Sequence, residues 1–210
     1  YLYNLNTNEL INVTNDIFTD IDLNWKSNGN DLLFSSDRMS ANDNILDPYT
    51  HIINSHQDTN IWSHQYDLYS IFLDFDSNDF ENSNITRLTN SIYNERHPHP
   101  IDSDSSIAFI SDNNGINNIY LFNSSTKKIW PATNILTGIT QLTSNGNDIF
   151  FTGFEKNKFG IYRLDSTFKK NIIQNNLSIA LWKENFKAYD FTLIDQQKNK
   201  NKNYYRNYIF

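Results

Sequence analysis

The sequence predicts an all-β protein: a β-propeller of four-stranded antiparallel blades, with about 3–4 blades in this chain and therefore an incomplete ring. Three observations predict it. Apolar runs of strand length recur at a fixed interval, Phe109 and Phe151 standing 42 residues apart. Asn, Asp and Gly separate those runs, as turns between short strands require. Few windows place apolar residues at i, i+3, i+4 and i+7, so the pattern is not helical.

Composition agrees with this class and excludes others. The 12 Tyr and 15 Phe favour pleated surfaces, on which flat rings pack well. With only 6 Gly and 4 Pro, the 34 Asn supply most turn positions, because Asn tolerates left-handed backbone. A formal charge of -7 without a basic patch excludes a nucleic-acid partner. The absence of Cys removes disulfides, thiolate metal sites and a Cys nucleophile. No apolar run of about 18 residues exists, so no membrane insertion by this segment is expected. The start at Tyr1, without Met and inside a strand pattern, suggests a piece of a longer protein.

The elements follow from aligning the chain with itself. Asp31-Leu32-Leu33-Phe34, Ser106-Ile107-Ala108-Phe109 and Asp148-Ile149-Phe150-Phe151 fall in register. Five residues before each Phe stands a turn residue, Gly29, Asp104 or Gly146. Tyr120 and Tyr162 follow by eleven residues, and Tyr3 and Tyr69 occupy the same slot elsewhere. Each unit then reaches Thr-Asn: Thr14-Asn15, Thr89-Asn90 and Thr133-Asn134. Residues 1-182 thus form the propeller: 1-14 end a preceding blade, 17-89 are a blade interrupted by an insertion at 39-67, and 92-133 and 135-173 are two further blades. Residues 177-182 are a possible extra strand, and 183-210 form a polar linker toward a following domain.

Among candidate sites, Arg96-His97-Pro98-His99-Pro100 holds the most distinctive pair. His97 and His99, at i and i+2 of an extended segment, would share one face and could approach a metal. A third ligand is not adjacent, so they remain weak metal candidates and no metal site is assigned. Asp37 and Asp112 recur at matched positions after strands and are expected to accept backbone N–H groups of their turns. The acidic run Asp74, Asp76, Asp79 and Glu81 lacks the Gly and spacing of a calcium loop and reads as a solvated hairpin. No nucleophile elbow, zinc-protease helix or phosphate loop occurs, and no catalytic residue or cofactor is expected.

Trp25 with Asn28-Gly29, Phe34-Ser35-Ser36-Asp37-Arg38, and Ile107 to Asp112 with Gly115 and Ile119-Tyr120 resemble the repeats of TolB-like propellers over about residues 1–173. Pro100 and Leu142 stand where that repeat has Trp, and Thr152-Gly153-Phe154 replaces its Ser-Asp-Arg. The stretches Tyr93 to Arg96, Leu136 to Ile139, Phe151 to Phe154 and Ala188 to Asp195 are similar to a bacterial envelope subgroup in which the propeller precedes an outer-membrane barrel. The resemblance implies a non-catalytic scaffold in the periplasm or cell envelope that binds protein or peptide. The alternative it implies is the substrate-gating propeller of a multidomain peptidase whose catalytic domain lies outside this chain. Expected binding elements are the insertion, with Trp62 and His64, and a loop over Glu95 to Pro100, with Arg96, His97 and His99.

Overall fold

The computed structural model describes residues 1–38, 65–75, 80, 83–91 and 93–165. Trp62 and His64, nearly all of the insertion, Asp76, Asp79 and Glu81, the segment 177-182 and the linker 183-210 lie outside the described residues.

Every regular element described is a strand, and the strands form four antiparallel sheets. A hairpin pairs β1 (Leu2–Asn4) with β2 (Glu9–Ile11). The next sheet runs in chain order through β3 (Asp20–Trp25), β4 (Asp31–Ser36), β5 (Asp67–Phe72) and β6 (Ile85–Arg87). A second four-stranded sheet comprises β7 (Glu95–Ile101), β8 (Ser106–Ser111), β9 (Asn118–Asn123) and β10 (Ile129–Pro131). A three-stranded sheet of β11 (Ile139–Ser144), β12 (Ile149–Glu155) and β13 (Lys158–Leu164) follows. We call the last three sheets blades I, II and III. This is an incomplete propeller. Asp67, read from sequence as the end of the insertion, is the first residue of β5 and pairs with Ser36.

The apolar runs are continuous rather than alternating because both faces of each central strand are buried. Successive side chains of a strand point to opposite faces. On β8, Ile107 and Phe109 therefore join Leu33 and Leu68 in the seam between blades I and II. Ala108 and Ile110 point the other way, joining Ile139, Leu142, Ile149 and Phe151 between blades II and III. The hairpin packs on the remaining face of blade I, where Leu2, Ile11 and Val13 meet Phe34, Tyr69 and Ile71.

The recurring Thr has a bonding role that explains its period. Thr89 Oγ1 accepts the Leu68 N–H at 2.9 Å, and Thr133 Oγ1 accepts the Ile119 N–H at 2.9 Å. Each hydroxyl also meets the side chain that opens the third strand, Asp67 at 3.5 Å and Asn118 at 2.9 Å. Those side chains in turn accept the N–H of the segment leading to the next blade, Ser91 at 3.1 Å and Ile135 at 2.7 Å. Asp37 and Asp112 act across their sheets: their Oδ1 atoms accept the N–H groups of Thr19 and Asn94, at 2.8 and 2.9 Å, just before the first strand of each blade. These donors lie 18 residues upstream of the acids.

Arg38 occupies the corner of blade I. Its guanidinium holds Asp20 at 2.7 Å and Asp16 at 3.1 Å and lies over the rings of Phe18, Phe34 and Tyr69. A buried cation is tolerated only with this degree of pairing.

Phe109→Ala removes a ring from the middle of a seam and should destabilise the chain by about 3–5 kcal/mol in urea unfolding. Ile161→Ser, at a position 81% exposed on blade III, should change stability by less than about 0.5 kcal/mol. Equal losses from the two would contradict the assignment of the seams as the core.

Candidate functional site

The first strand of each blade, β3, β7 or β11, pairs on one side only, and β7 packs against both β3 and β11. All three carry an irregularity: register shifts occur between Ile21 and Asn24, between Arg96 and His99, and between Ile139 and Gln141. At the first two, Asp22 and His97 adopt φ of 57° and 55°. A bulge inserts an unpaired residue and re-aims its side chain. Here the re-aimed side chains meet one another across the seam of blades I and II.

Glu95 to Pro100, expected as a loop, is strand β7. Proline donates no N–H, so two prolines fit only in a strand with a free edge, which is what β7 is. The bulge also cancels the common face expected for His97 and His99. His97 Nδ1 lies 3.3 Å from Asp22 Oδ1, whereas His99 Nε2 lies 3.1 Å from Asn24 Nδ2. Among the described residues no three His, Asp or Glu side chains converge to hold a metal ion.

Asp22 gathers the first cluster. Its Oδ2 accepts from Arg96 Nε at 2.6 Å and from the His97 N–H at 3.1 Å. Burial raises the Asp22 pKa, but the Arg96 hydrogen bond and the charge and N–H of His97 outweigh it, so the carboxyl stays below the usual range. Burial lowers the His97 pKa despite Asp22. The Arg96 guanidinium also lies 5.0 Å over the Tyr66 ring, linking β7 to the residue before β5.

His99 ties all three inner strands together. An amide nitrogen only donates, so Nε2 accepts from Asn24 and carries no proton. The ring also hydrogen-bonds the backbone of Leu142 on β11. Burial, reinforced by His97, pushes the His99 pKa down to about 4, which leaves the ring neutral at pH 7.

Beside His99 lies a groove of about 450 Å³. It sits where β3, β7 and β11 end, bounded by the turns that follow them, and Asn24, Ser27, Asp104, Ser144, Asn145 and Asn147 contribute most of its polar wall. Trp25, Pro100 and Ile101 add an apolar side. Blade II is strapped to both neighbours here: Asp104 accepts the Ser27 N–H at 3.0 Å, and the Asp102 N–H donates to the Gly146 carbonyl at 2.9 Å. The insertion leaves from the opposite end, since it joins Ser36 to Asp67 beside Asp20, where β3 begins.

Glu95 stands apart from these groups. It opens β7, its N–H donates to the Tyr66 carbonyl at 2.8 Å, and Ile139 does the same to Asn117 at 2.9 Å where it opens β11. The slot is apolar in blade III, yet in blade II it holds a carboxyl only 3% exposed, whose Oε2 has no hydrogen-bond partner. Burial first, and the charge of Asp67 with it, push the Glu95 pKa up to about 7 against the hydrogen bonds of Thr89 and Ser91 and the charge of Arg87.

Sequence reading selected the stretch Glu95 to Pro100, with Arg96, His97 and His99, but missed Asp22, Asn24 and the place of Asp104 in the groove lining. The repeat offset held a usable signal. Asp22 and His97 are 75 residues apart, as Phe34 and Phe109 are, so the two bulges were alignable.

No protein-family model matches the chain, and no curated protein does. Among solved structures, one described as TolB from Agrobacterium tumefaciens superposes with a TM-score of 0.50 at 13% identity, over 73% of this chain and 47% of that one. TolB from Acinetobacter baumannii gives 0.45 at 14% identity, over 70% and 30% of the two chains. The β-propeller domain of the Trilobed protease from Pyrococcus furiosus gives 0.42 at 13%, over 78% and 44%. The likeness to the Agrobacterium protein is one of fold, and this chain spans just under half of its length.

The raised pKa of Glu95 fixes the sign of a pH effect. The unfolded chain releases this proton near the usual value of 4.5, the folded chain near 7, so between them the folded state holds more protons and its stability falls as pH rises. Glu95→Gln should therefore stabilise the chain at pH 8 by up to about 3 kcal/mol, a gain that shrinks as pH drops toward 4.5. Paired urea unfolding of parent and variant across this range tests it, and a pH-independent difference would count against a buried carboxyl with a raised pKa.

Proposed function

We propose that this chain is a non-catalytic propeller scaffold that captures protein or peptide in the groove beside His99. The observation that carries this reading is that turns of three blades converge on one polar groove walled by side-chain amides and hydroxyls. An extended peptide offers an N–H and a carbonyl at each residue. Asn amides match both, and the neutral His99 ring and Asp104 strap hold the walls in place. Pre-ordered walls lower the ordering cost of binding.

The setting we propose is the bacterial cell envelope. Support comes from the TolB-like repeat and from the fold shared with the Agrobacterium TolB. Tethering to an outer-membrane barrel belongs to the same reading and is supported by the subgroup likeness of the Tyr93 to Phe154 and Ala188 to Asp195 stretches.

Filling the groove tests the reading. The 210-residue chain, panned against phage-displayed random decapeptides, should enrich binders. Asn147→Trp should reduce their recovery by about tenfold or more, while Ile161→Ser, on the outer face of blade III, should leave it unchanged. Recovery that is equal for both variants, or no enrichment by the parent chain, refutes groove binding.

A further inference from the structure

Asp104 occupies a slot that its neighbours give to glycine. Gly29, Asp104 and Gly146 align in the three blades, and all are left-handed, with φ of 73°, 66° and 91°. Glycine adopts this backbone without strain, whereas a residue bearing Cβ does not. In blade II the whole turn is left-handed, Asp102 and Ser103 having φ of 55° and 51°. Asp102 and Ser105 help to hold it: the Asp102 N–H meets the Gly146 carbonyl at 2.9 Å, and the Ser105 N–H meets the Asp102 carbonyl at 3.1 Å. The blade thus maintains an unfavourable backbone that carries a carboxylate where its neighbours have only hydrogen.

That carboxylate stands at the groove. Its oxygens accept the Ser27 N–H at 3.0 and 3.1 Å and the Ser27 hydroxyl. These bonds aim it without using all the acceptor sites of its two oxygens, and Asp104 remains half-buried. Among the groove's described lining residues it is the one acidic side chain, and apart from His99, which is neutral, the others carry no titratable group. Two nearby basic side chains are engaged with other acids, Lys26 at 3.8 Å from Asp31 and Arg163 at 2.8 Å from Asp148, and Lys127 lies over the Phe122 ring. A cleft lined by one sign of charge concentrates ligands of the opposite sign, and the formal charge of -7 acts in the same direction.

We propose that the groove selects cationic peptides, with a Lys or Arg side chain of the ligand bonded to Asp104 and the peptide groups bonded to the surrounding amides. This rests on the groove being the ligand site, and adds the charge of the ligand to that reading.

The test compares fluorescein-labelled Gly-Lys-Gly-Lys-Gly with Gly-Glu-Gly-Glu-Gly by fluorescence polarisation on the full chain. The lysine peptide should bind about tenfold more tightly at low ionic strength, with the gap closing as salt is added. Asp104→Asn should reduce the preference to below about twofold. Asn147→Lys, which keeps Asp104 and its strap, should reverse it. Equal affinities in the parent chain, or a preference that Asp104→Asn leaves intact, overturns selection by Asp104. If neither pentapeptide binds but phage-selected peptides do and prove not to be basic, charge selection fails while groove binding stands. If no peptide binds at all, both fail.

Discussion

The fold depends on burial between blades. A sheet whose central strands are apolar on both faces cannot be stable alone, because one face always remains in water. Ile107 and Phe109 are satisfied by blade I, and Ala108 and Ile110 by blade III. Each seam is therefore part of the folding of two sheets. The polar network at the inner strands is secondary to this: Asp22, Arg96 and His97 meet because the seam behind them brings β3 and β7 together.

The sequence displayed the blades clearly because a buried seam leaves a periodic trace. Phe109 and Phe151, the Gly29, Asp104 and Gly146 turns, and the Thr89 and Thr133 locks all repeat since every blade needs the same packing and the same backbone bonds. The site was less visible because it consists of departures from that repeat. Bulges at Asp22 and His97 break the two-residue alternation on which the shared face of His97 and His99 was inferred. Glu95 to Pro100, expected as a binding loop, is instead an inner strand whose free edge accepts its two prolines. Glu95 was legible only as a charge, since its burial is made by the fold and the charges of Asp67 and Arg87 reach it from neighbouring strands.

Buried charge is matched both at the inner strands and at the corner of blade I. Asp22 has Arg96, and Asp16 and Asp20 have Arg38. His99, half-buried between the inner strands, escapes the problem by staying neutral. Glu95 is the exception, a buried acid with one oxygen unpartnered in a slot that blade III fills with Ile139. Local inconsistencies of this kind mark positions held for reasons other than packing.

The strand register has one more consequence, for how such a chain can diversify. The insertion departs between Ser36 and Asp67, at the end where β3 begins, whereas the groove lies where β3, β7 and β11 finish. Asp20, which pairs with Ser36, and Asn24, which meets His99, stand toward opposite ends of one strand, so β3 joins the insertion's point of departure to the groove wall. Diversification at either end of blade I is thereby constrained by the same six-residue strand.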